Sequence, residues 1–86
     1  MKFVEPSHFT DPDTAALNLV EIAHTTEPAQ DGRIYIELIN AAFLAAGGTP
    51  AEYRAGLDRA ITKGWLWRHE SGAYVKFTPT GAELFA

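Results

Sequence analysis

Eighty-six residues with a net charge of −4 and no cysteine set narrow limits. A chain this short holds one hydrophobic core and buries about two-thirds of its unfolded surface, which excludes a second domain. The hydrophobic fraction of 47% and charged fraction of 21% are those of a folded protein, and the lack of cysteine excludes disulfides and thiolate metal sites.

Residues 1–10 read as an arm, in which Lys2-Phe3-Val4 would add a short strand that Pro6 stops. Asp11-Pro12-Asp13 then announces a helix: a capping carboxylate, a proline suited to the first turn, and an acid that favours the helix dipole. This helix is expected to run to about Thr25. Ala16, Leu19, Val20 and Ala23 form its apolar stripe, with Leu17 and Ile22 beside it. Residues 26–32 form a linker broken by Pro28 and Gly32. Arg33-Ile34-Tyr35-Ile36 is either a short third strand or the lead-in to a second helix.

From Tyr35 the period becomes helical, and Tyr35, Leu38, Ile39, Ala42, Phe43 and Ala46 share a face. The helix is apolar nearly all round, with Leu44 opposite the main stripe. Such a helix is buried on several sides or meets a partner. Gly47-Gly48 ends it. Thr49, Pro50 and Glu52 compose a capping box at the start of a third helix, whose core face is Tyr53, Leu57, Ala60 and Ile61. Gly64 ends that helix, and the short connection predicts tight packing of the second and third helices.

The period then changes to two. Residues 65–69 and 73–78 flank a turn at Ser71-Gly72. Leu66, Val75 and Phe77 are expected inward. Trp65 and Trp67 are read as sharing a strand face near Tyr74, with Trp65 expected to complete the core between the third helix and the hairpin. Thr78-Pro79 starts a short last helix.

Thr49–Leu66, with its Gly64 followed by the apolar pair Trp65-Leu66, the hairpin and the run Phe77-Thr78-Pro79-Thr80-Gly81 together resemble the winged helix-turn-helix family over residues 12–86. The resemblance implies an α+β fold, mostly α: a three-helix core, a C-terminal β-hairpin wing and a short last helix, with the arm at 1–10 and the winged-helix domain at 11–86. It implies a DNA-binding or transcription-associated regulatory domain with the third helix in the major groove. The groove-facing positions would be Thr49, Ala51, Glu52, Arg54, Ala55, Asp58 and Arg59. The wing contacts would be Arg68, His69, Ser71 and Lys76.

Charge separates two function classes. Residues 1–46 carry two basic against seven acidic side chains, and residues 47–86 carry five against four. Nucleic-acid binders present a basic face. Glu52 and Asp58 offset Arg54 and Arg59 on the helix that would read DNA. The rival to double-stranded DNA is therefore a protein partner or a second copy of the chain, met through Leu44, Trp67 and Tyr74. The aromatic and basic residues of the hairpin also suit a stacking or phosphate surface.

Other chemistry is not indicated. His8, His24 and His69 lack metal-ligand spacing, so no metal is expected. No serine or threonine has a neighbouring base, Gly47-Gly48 lacks the lysine of a phosphate loop, and the acidic residues have roles at helix starts and in the linker. The chain is expected to be non-enzymatic and without a cofactor. No apolar run approaches the ~18 residues of a membrane span, no signal-peptide core is present, and Met1 reads as a natural start. The expected location is cytoplasmic.

Overall fold

The computed structural model describes residues 9–26 and 32–86. The arm strand at 2–4 and most of the linker lie outside the described residues. Within them the chain forms a small, mostly helical α+β structure. Its elements are α1 (Pro12–Thr25), β1 (Ile34–Tyr35), α2 (Ile36–Ala45), α3 (Pro50–Thr62), β2 (Leu66–Arg68), β3 (Tyr74–Phe77) and α4 (Pro79–Ala82), followed by a 3-10 turn at Glu83–Phe85. The strands form one antiparallel sheet in the order β1-β3-β2.

The helix starts are local chemistry. The Asp13 amide donates to the Asp11 carboxylate at 3.0 Å, and Pro12 occupies the first turn of α1. At α3 the box is complete: the Glu52 amide donates to Thr49 Oγ1 at 3.1 Å, and the Thr49 amide donates to Glu52 Oε1 at 3.0 Å. Each reciprocal bond satisfies a backbone donor that has no partner within the helix.

The core joins Ala15, Ala16, Leu19, Val20 and Ala23 of α1 to Ile39 and Phe43 of α2, to Tyr53, Leu57 and Ala60 of α3, and to Ile34, Leu66 and Val75 of the sheet. Full burial of each large apolar side chain contributes about 1.5–3 kcal/mol. The main partner of α3 is α1 rather than α2. Gly56 makes this closeness feasible, because a Cβ there would stand 2.8 Å from Ala15 Cβ and 3.0 Å from Leu19 Cδ1.

The TPTG run also acquires a reason. Thr78 Oγ1 accepts from the Gly81 amide at 2.9 Å and donates to the carbonyls of Gly64 and Trp65. A Cβ on Gly81 would overlap the Trp65 carbonyl oxygen at 1.9 Å. The motif clamps the start of α4 onto the lead-in to β2.

Three expectations change. The Arg33–Ile36 segment resolves into both of its readings, a two-residue strand followed at once by α2. The buried line of α2 is narrower than the expected face: Ile39 and Phe43 are buried and Ile36 is partly so, while Ala42 and Ala46 are exposed and Leu38 is 50% exposed. Pairing of β1 into the sheet takes Tyr35 out of the helical period and rotates the packed side. Finally, Trp65 and Trp67 do not share a face. Trp65 precedes β2 and packs on the core, whereas Trp67 faces outward at 48% exposure.

Candidate nucleic-acid interface

Helix α3 buries Tyr53, Gly56, Leu57 and Ala60 and turns its other side to solvent. Ala51, Arg54, Ala55 and Asp58 are exposed along that side, and Thr49 is exposed at its start. Spacings of three and four residues place them on one line. Glu52 is held back by the capping box.

The two arginines of α3 have different fates. Arg54 is exposed. Arg59 donates from Nη1 to Asp13 Oδ1 of α1 at 2.5 Å, and Lys63 Nζ lies 3.8 Å from the same oxygen. Lys63 also sits over the Trp65 ring, 5.6 Å from its centroid. One acid at the start of α1 thus gathers two basic groups, of which Arg59 is one that the resemblance would offer to a polyanion.

Strand alternation divides the expected hairpin contacts between two faces. Leu66 pairs with Phe77, Trp67 with Lys76, and Arg68 with Val75. Leu66, Val75 and Phe77 face the core, so Arg68 emerges on the inner side of the sheet and Lys76 on the outer side. Arg68 lies against Gly72 of the turn, and its charge acts on the Tyr53 phenol of α3. Burial pushes that phenol up to about 12, and Arg68 opposes the rise. The Tyr53 hydroxyl donates to the Ile36 carbonyl at 3.4 Å. Arg68 therefore belongs with α3, and Lys76 belongs elsewhere.

The turn is braced by its own polar groups. His69 Nδ1 lies 2.8 Å from Ser71 Oγ and accepts from the Ser71 amide at 3.1 Å. The Ala73 amide donates to Ser71 Oγ at 3.2 Å. With the amide aimed at Nδ1, that nitrogen is an acceptor and the Ser71 hydroxyl donates to it. The pair holds the turn in shape.

The outer sheet face collects aromatic rings. Tyr35 and Tyr74 are register partners with centroids 6.3 Å apart. Trp67 lies 6.3 Å from Tyr74 and 5.7 Å from His69. His69 stacks on Tyr74 at 4.6 Å and 17°. Arg33 sits over Tyr74 at 5.0 Å. Of the expected contact residues, this face unites Trp67, Tyr74, His69 and Lys76. Leu44 lies about 12 Å along α2 from Ile36, so it is not brought into the ring group.

Sequence reasoning missed Tyr35 and Arg33 here. The only available signal was the strand reading of residues 33–36, and nothing local tells which strand such a segment joins.

Among the described residues no group of three or more acidic or histidine side chains is placed to hold a metal ion. No helix there is long and apolar enough to cross a membrane. His24, at the end of α1, stacks on Phe85 at 4.1 Å. The chain matches no family model, no curated protein and no solved structure.

Proposed function

We propose that this chain is a winged-helix domain that binds double-stranded DNA, with α3 in the major groove and the hairpin as a wing. The order of helix, strand, two helices and hairpin supports the fold assignment. The observation that carries the DNA reading is the open side of α3, where Arg54 stands between Ala51 and Ala55. Two small residues allow close approach to base edges, and a guanidinium fork matches a guanine edge or a phosphate. Arg68 adds a cation on the same side of the wing, and the Thr49 hydroxyl stands at the helix start. Asp58 on the same line repels phosphate, and Arg59 is already paired. Binding is accordingly weak and strongly salt-dependent.

The test is fluorescence anisotropy with a labelled random duplex at about 50 mM salt. Saturable binding that Arg54→Ala weakens and Asp58→Asn strengthens supports the proposal. Absence of binding at that salt overturns it.

A second reading is a protein-interaction or homodimerisation module. Helix α2 is apolar on most sides yet leaves Leu38 and Leu44 exposed at 50% and 38%, which favours it, since a helix apolar nearly all round is buried or meets a partner. Self-association in sedimentation that Leu44→Ser abolishes, without DNA binding, would establish it.

A further inference from the structure

The α3 side leaves the outer face of the sheet unused, and that face has a pattern of its own. Rings and cations interleave on it. Trp67 stands directly across the ladder from Lys76, Tyr35 across from Tyr74, and Arg33 lies over Tyr74. Trp67 and Tyr35 are the more open rings, at 48% and 38% exposure, while Tyr74 and His69 beside them are partly buried.

The position of Lys76 selects the occupant. The buried centre of a protein–protein interface is depleted in lysine, which is kept to its rim. Here Lys76 is the register partner of the most exposed ring. A single nucleic-acid strand repeats a flat base and a phosphate along its length. It asks for ring, cation, ring, cation, since stacking tolerates any base and the cations follow the backbone.

We propose that the outer sheet face binds single-stranded DNA, with bases stacked on Trp67 and Tyr35 and phosphates held by Lys76 and Arg33. The choice of DNA over RNA rests on the duplex reading of α3. The face itself is tested apart from it.

The probe is a labelled oligothymidylate of ~12 nucleotides, followed by anisotropy on the full chain at about 50 mM salt. Trp67→Ala is expected to weaken binding about tenfold or more. Lys76→Ala is expected to weaken it and flatten the salt dependence. Arg54→Ala should leave oligothymidylate binding unchanged while weakening duplex binding, so the two surfaces fail separately. Far-UV circular dichroism checks that both sheet-face variants fold, and Lys76→Ala decides the matter if Trp67→Ala does not.

Three results would overturn the inference. One is no oligothymidylate binding. The second is binding that neither sheet-face substitution alters. The third is self-association through Trp67 that the oligonucleotide does not compete with. Tighter binding of an oligouridylate of equal length would overturn the assignment to DNA.

Discussion

Arg59 and Asp13 meet at 2.5 Å although 46 residues separate them, tying the last turn of α3 to the first turn of α1. Both side chains are half-exposed, so solvent screens the pair and it contributes about 0.2–1 kcal/mol. Arg59→Ala should lower the unfolding free energy within that range in a urea titration. Asp13→Asn should do the same while releasing Arg59 and Lys63. If α3 reads DNA, Asp13→Asn should also raise duplex affinity, an effect that a purely structural pair would not produce.

Gly56 and Gly81 should resist the smallest substitution. Alanine at position 56 gains up to about 1 kcal/mol in helix propensity. Against this, its Cβ meets Ala15 at 2.8 Å, with the Ala15 backbone at 3.1 Å. Overpacking of this kind costs about 1–3 kcal/mol, so Gly56→Ala should be destabilising on balance. Gly81→Ala forces the start of α4 away from the Trp65 carbonyl and should cost more. Denaturation midpoints of the two variants check both values.

Tyr53 predicts a loss of stability at high pH. Burial raises its phenol from 10.0 to about 12, against the pull of Arg68. Between those values the unfolded chain has released the proton and the folded chain retains it, so stability falls as pH rises through that window. Below about pH 10 the contribution is fully present. Tyr53→Phe should flatten the alkaline limb of the stability profile. At neutral pH it should cost less than about 1 kcal/mol, since the 3.4 Å bond to Ile36 is long.

Thr49→Ala removes one half of the capping box and should cost about 1 kcal/mol, measurable by urea titration. Glu52→Ala removes the other half. Because the two bonds serve one helix end, the double variant should lose less than the sum of the singles.

How much was legible beforehand depended on the distance over which each interaction acts. The Thr49 box, the Asp11 cap, the glycine stops and the Ser71-Gly72 turn are decided within about four residues. Each stands where its residues predicted. The inward positions Leu66 and Val75 followed from a period of two. The face of α2 did not follow from its periodicity, because a helix that is apolar on most sides has no unique stripe. The place of Trp65 against the core followed from its size and position, whereas its shared strand face with Trp67 failed, since the chain bends at residue 65 before β2 begins.

The candidate surfaces divide in the same way. The exposure of Ala51, Arg54 and Ala55 was readable from the opposite spacing of Tyr53, Leu57 and Ala60. The capture of Arg59 by Asp13 was not, because an ion pair between distant segments exists only once α1 and α3 pack. The split of Arg68 from Lys76 followed from the same period of two, but sequence order could not bring Tyr35 and Arg33 to Tyr74. The sequence alone determined the helix starts and stops, the hairpin and the apolar positions that make the core. Only the tertiary structure decided which charges stay free and which rings meet, because those contacts depend on strand register and helix packing between segments that are far apart along the chain.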